Sequence, residues 1–143
     1  MNLRKLPLYL VMFVLLGLFL SGCGPSTVNV SLTSYNITPD KSSVGSGDVT
    51  FHITNDATDL THEFVVFKTD LAEDALPLND EGIVDEEGAG DALTLIDEVE
   101  DIEPGMTVDL TVTLDPGNYV LICNIDSDEL HYQHGMHTAF TVK

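Results

Sequence analysis

The stretch EPGMTVDLTVTLDPGNYVLICN, Glu103 to Asn124, decides the fold. It holds two runs rich in Val, Leu, Ile and Thr, MTVDLTVTL and NYVLICN, on either side of a DPGN turn signal at Asp115 to Asn118. Such residues suit a half-buried pleated surface, and Pro and Gly mark the reversal between them. The same pattern extends outward. TVNVSLTSYNI, Thr27 to Ile37, alternates Val28, Val30 and Leu32 with polar neighbours. VTFHITN puts Val49, Phe51 and Ile53 on one face and turns His52 to solvent. HEFVVFK (62–68) and HTAFTVK (137–143) are further strand candidates, with turn signals at Gly45, Gly47 and Glu103 to Gly105. Short strands separated by turn chemistry predict an all-β antiparallel sandwich. One region departs from the pattern. Asp70 to Glu103 carries 14 acids and is expected to be a long acidic surface excursion. Within it, one helical turn is expected near Leu71 to Leu76, and TLIDEV is expected to return as a strand.

The 143 residues suffice for one domain. The first segment is read as a processing signal and not as fold. Arg4 and Lys5 precede an uncharged run, Leu6 to Leu20, too short for a comfortable membrane span and suited to an export signal. LSGC, Leu20 to Cys23, resembles a lipobox, in which the cut falls before the cysteine and its sulfur takes a lipid. This gives a signal peptide at 1–22, a lipid-anchored tether at 23–27 and a domain at 28–143. Beyond the signal, three basic residues (Lys41, Lys68, Lys143) face 24 acids. That balance argues against nucleic-acid binding and allows steering toward a basic partner.

The chain has two cysteines. With Cys23 lipidated, Cys123 is left without a partner in an oxidising compartment. The residues after it supply a reason. CNIDSDELHYQHGMH, Cys123 to His137, gathers a thiol, three imidazoles and a thioether. Soft thiolate and thioether with imidazole select copper over hard cations. Two His and one Cys in a plane with a weak axial Met make a blue-copper site. The second His must come from elsewhere, and THEFVVF offers His62 at a strand start.

NDATDLTHEFVVFKTDL, the opening stretch, HYQHGM and HTAFTV together resemble a cupredoxin of the small plastocyanin-like or sulfocyanin-like kind. The most specific elements are L-x-P-G-x-Y-x-x-x-C, Leu114 to Cys123, and H-x-x-x-x-M, His131 to Met136. The resemblance implies a Greek-key sandwich and one mononuclear type 1 copper. It also implies His62, Cys123 and His131 as ligands with Met136 axial. It departs from the family in one place. Relatives usually put about four residues between the Cys and the loop His, often with Pro-Gly; here NIDSDEL separates Cys123 from His131. His134 is therefore the alternative ligand, although two residues before Met136 it would crowd a tight turn. Glu63 is expected as a surface acid and Tyr119 as a packing residue at the sandwich corner.

The implied function is single-electron transfer on the extracytoplasmic face of the membrane or in the periplasm. Implied partners are a cytochrome, an oxidase or another copper protein, and a monomer is expected. Copper delivery to an oxidase is the alternative. Catalysis is not expected, since no Ser-His-Asp order, phosphate loop or C-x-x-C pattern is present.

Overall fold

The structure is a computed structural model and describes residues 24–86, 89–125 and 129–143. The expected export signal, 1–22, and the expected lipid site, Cys23, lie outside the described residues. The described residues form nine strands: β1 (Ser26–Thr33), β2 (Asn36–Pro39), β3 (Ser43–Val44), β4 (Gly47–Asn55), β5 (His62–Lys68), β6 (Thr94–Ile102), β7 (Thr107–Leu114), β8 (Gly117–Ile122) and β9 (His137–Val142). They make two sheets, ordered β2-β1-β4-β7 and β3-β9-β8-β5-β6. Two pairings, β1 with β4 and β3 with β9, are parallel; the others are antiparallel.

The period-two pattern fixes which side chains fill the sandwich. Val28, Val30, Leu32, Val49, Phe51, Ile53, Leu110, Val112 and Leu114 point inward from the first sheet. They meet Phe64, Val66, Tyr119, Leu121, Phe140 and Val142 from the second. Phe51 bridges the layers, its ring centroid 5.3 Å from Phe64 and 5.5 Å from Phe140. On the outer face of the first sheet, polar cross-strand pairs replace apolar ones, among them Thr50 with Thr111 at 2.9 Å and exposed His52 with Asp109. Tyr119 is buried at the corner after the DPGN turn, and its hydroxyl donates to the Asp115 carbonyl at 2.8 Å.

Two expectations are corrected. TVNVSLTSYNI is two strands, reversed at Ser34 and Tyr35, because Leu32 is the last inward residue before two turn positions break the alternation. The segment 71–76 forms only a turn closed by Ala75 N–H to the Ala72 carbonyl, and no α-helix is present among the described residues. A short 3-10 turn at Gly90–Ala92 stands further along instead. TLIDEV does return as a strand, the first part of edge strand β6.

The acidic excursion also covers the second sheet. Leu76, Val84 and Leu93 pack with Val65, Phe67, Val120, Ile122 and Tyr132 in a second apolar cluster on the outer face of the second sheet. Strand β5 is thus covered on both faces, which is why HEFVVF is buried throughout and does not alternate. The same cover buries Glu63 to 9% exposure, which corrects its reading as a surface acid. Its carboxyl is pushed up to about 8, first by burial and then by the charges of Glu98 and Glu86 beside it.

Candidate metal centre

Cys123 directly follows β8, His62 opens β5, and His131 and Met136 bound the turn that leads into β9. Because β5, β8 and β9 are neighbours in one sheet, these ends meet at one pole of the sandwich. The structure brings His62, Cys123 and His131 together, all buried, with donor atoms within 4.8 Å of one another. Nδ1 of His62 lies 3.2 Å from Nδ1 of His131, and the Cys123 sulfur lies 3.3 Å from the latter and 3.8 Å from the former. Met136 is fully buried in the same core cluster as Cys123. His134 is exposed and not part of the converging group.

The ligand turn is held by its own backbone. Met136 N–H donates to the His131 carbonyl at 3.0 Å, Gly135 N–H to Tyr132 at 3.0 Å, and Cys123 N–H to Met136 at 3.1 Å. Gly135 has a φ of +95°, left-handed backbone that favours glycine. The Cys123 sulfur receives the Glu63 N–H at 3.2 Å and the Ile125 N–H.

Three further residues, not singled out by sequence reasoning, support these positions. Asn55 is fully buried; its amide donates to the carbonyls of Leu60 (2.8 Å) and Ile102 (2.7 Å) and its oxygen accepts the Ala57 N–H (2.9 Å). Leu60 lies two residues before His62, and Ile102 pairs with His62 across β6, so Asn55 clamps both flanks of that ligand candidate. Asn124 does the same for the cysteine, accepting the Val84 N–H at 2.8 Å and donating to the Val84 carbonyl at 3.2 Å. Tyr35 packs its ring against His131. The sequence carried a signal only for Asn55, a polar residue in phase with Val49, Phe51 and Ile53.

Electrostatics keeps this pole uncharged without a cation. Burial, and then the neighbouring His131, lowers His62 to about 4. Burial also lowers His131, and burial raises the Cys123 thiol to about 11 against the two N–H groups that favour its anion. His62 Nε2 is buried without a hydrogen-bond partner. The donor set passes a geometric test for a metal. The point equidistant from the two nitrogens and the sulfur lies about 2 Å from each, close to first-row metal bonds to imidazole and thiolate at about 2.0–2.3 Å.

A nine-strand sandwich with this pole defines a class: the chain has the cupredoxin fold, and its donor set fits one type 1 copper. Among solved structures, reduced auracyanin from the photosynthetic bacterium Roseiflexus castenholzii is 25% identical, with a TM-score of 0.59 over 84% of this chain and 99% of that one. Auracyanin A, a "blue" copper protein of Chloroflexus aurantiacus, is 20% identical, with a TM-score of 0.57 over 84% of this chain and all of that one. Rusticyanin from Thiobacillus ferrooxidans is 18% identical, with a TM-score of 0.52 over 84% of this chain and 79% of that one. No protein-family profile and no curated protein sequence matches the chain.

Proposed function

We propose that the chain carries single electrons at one mononuclear type 1 copper, which His62, Cys123, His131 and Met136 would hold. The observation that carries this reading is the convergence of three buried donor atoms at one pole of the sandwich. Copper bound there would supply one-electron redox chemistry, since imidazole and thiolate together serve both of its oxidation states. The chain's own part is to hold the donor atoms fixed and dry. His62 is fixed by the Asn55 clamp, and Cys123 by Asn124 and two N–H groups on its sulfur. His131 and Met136 are fixed by their shared turn. With four protein donors no position is left for a substrate, which supports a carrier over an enzyme. Burial of all four supports a carrier over a copper donor, which needs an exit path for its metal.

The proposed setting is the extracytoplasmic face of the membrane, with Cys23 as the lipid-bearing residue after removal of 1–22. The proposed partners are a cytochrome, an oxidase or another copper protein. The acids of the excursion would favour a basic partner, whose association rate would fall steeply with added salt.

The test is to load the domain that starts at Gly24, without the lipid, with Cu(II) and record visible absorption and EPR. An intense thiolate-to-copper band with narrow hyperfine splitting is expected, and Cys123→Ser should abolish it. A colourless copper complex would overturn the assignment. Mass spectrometry of the native chain tests the anchor: Cys23 should be its first residue and carry the lipid, and Cys23→Ser should leave residues 1–22 attached.

A further inference from the structure

His131 is 2% exposed, so a molecule approaching this pole does not meet the imidazole directly. Among the described residues outside the donor set, the ring packed against it is Tyr35, edge-on at 5.3 Å between centroids and 86° between planes. Tyr35 in turn stacks with the exposed His134, at 4.8 Å and 33°. It is half-buried itself, so one part of the ring faces His131 and another part faces water. The ring comes from the opposite sheet. Tyr35 sits in the two-residue turn between β1 and β2, whereas His62, Cys123 and His131 belong to the pole of the second sheet. Its φ is +60°, a left-handed conformation in which Gly or Asn would be relaxed and a bulky side chain is strained. A strained tyrosine at a turn that Asn would fit better is there for its ring.

We propose that Tyr35 is the lid of the metal centre, a positioning residue whose ring shields His131 from water, small oxidants and competing chelators. This deepens the electron-carrier reading and rests on it for its purpose. The shielding itself is a property of the metal-free chain. The lid keeps the donor set, and a metal held by it, out of reach of chelators in solution. Without the ring, the same four donors would release copper readily, and the protein would shift toward a copper donor.

The test uses Tyr35→Asn, which removes the ring and suits the left-handed turn, and Tyr35→Phe, which keeps the ring. The first readout needs no metal: the rate at which diethylpyrocarbonate modifies His131, resolved residue by residue with tandem mass spectrometry. Tyr35→Asn should react about tenfold faster than wild type, and Tyr35→Phe at the wild-type rate. The second readout is transfer of Cu(I) to bicinchoninate, also about tenfold faster for Tyr35→Asn, with the thiolate-to-copper band retained after loading. Equal His131 reactivity in Tyr35→Asn and wild type would overturn the lid, as would a Tyr35→Phe variant as reactive as Tyr35→Asn. If wild type shows no thiolate band, the electron-carrier reading falls and the metal-free labelling alone decides the lid. Tyr35→Gly replaces Tyr35→Asn if circular dichroism shows the latter unfolded.

Discussion

Asn55 offers the sharpest test of how the fold holds the centre. Its side chain makes three hydrogen bonds in a fully buried place, to the Leu60 and Ile102 carbonyls and from the Ala57 N–H. Asn55→Ala removes all three and strands their partners. At about 1 kcal/mol for each lost bond, the change should destabilise the metal-free domain by about 3 kcal/mol. At about 4 °C per kcal/mol for a domain of this size, the melting temperature should fall by about 12 °C. Asn55→Asp should be worse than alanine at neutral pH, because an anionic oxygen would face two carbonyls that now sit 2.7 and 2.8 Å from an NH₂ group. That aspartate's pKa would be raised in the folded state. Its penalty should therefore shrink as pH falls and grow as pH rises, since the unfolded chain ionises first. Both variants loosen the flanks of His62, so copper affinity should drop about tenfold or more, the usual cost of losing a partner that orients a ligand. The assays are urea unfolding at several pH values and competitive copper titration. A loss below about 1 kcal/mol for Asn55→Ala, or an aspartate variant more stable than the alanine one at pH 7, would refute the clamp.

Three other outcomes are expected. Folded Glu63 holds its proton to about 8 and an ordinary glutamate only to 4.5, so stability should fall as pH rises across that window. Glu63→Gln should flatten the fall by about 2 kcal/mol after solvent screening, checked by urea unfolding at pH 5 and 8.5. Copper loading should release about one proton per ion between about pH 5 and 10, because the Cys123 thiol is raised to about 11 and His62 lowered to about 4. Calorimetry in two buffers of different ionisation enthalpy measures this, and zero release would mean the thiol is already ionised. Gly82→Ala should destabilise by about 1 kcal/mol. The added Cβ would stand 2.9 Å from Leu130 Cδ1 at a φ of +87°, so a neutral melting temperature would contradict the packing of the excursion on the ligand loop.

The sandwich was legible because its inward residues alternate in β1, β4 and β7, and a period-two pattern survives in sequence wherever one face meets water. It was less legible where tertiary cover intervenes. The outer face of β5 is buried by residues from the acidic excursion, and Glu63 read as a surface acid because nothing local announces that cover. His62, Cys123 and His131 stood out through residue type and chain order, and the structure brings those three together. Tyr35 could not be foreseen. Its role depends on a turn of one sheet reaching a residue 96 positions later on the other, and no pattern within a window encodes that contact. Asn124 was equally silent, since its partner Val84 lies 40 residues away.

The long loop before His131 is the feature by which this chain departs most from the cupredoxin pattern, and the structure explains why it need not disturb the pole. Its first two residues, Asn124 and Ile125, help hold Cys123, through the Val84 hydrogen bonds and an N–H on the sulfur. Cys123 is fixed by β8, by the Glu63 N–H on its sulfur and by its own N–H on the Met136 carbonyl. His131 and Met136 are fixed by the turn between them, by β9 and by Tyr132, whose hydroxyl accepts the Leu76 N–H at 2.9 Å and donates to the Glu73 carbonyl at 3.0 Å. The rest of the sequence up to His131 connects two anchored ends. Extending such a connection from about four residues to seven adds about 0.5 kcal/mol of closure entropy, less than one of the hydrogen bonds that hold either end. The acidic excursion offsets that cost from the other side. It seals Tyr132 and packs Gly82 against Leu130 and Gln133, so the element expected to be an acidic surface excursion acts as the outer brace of this pole.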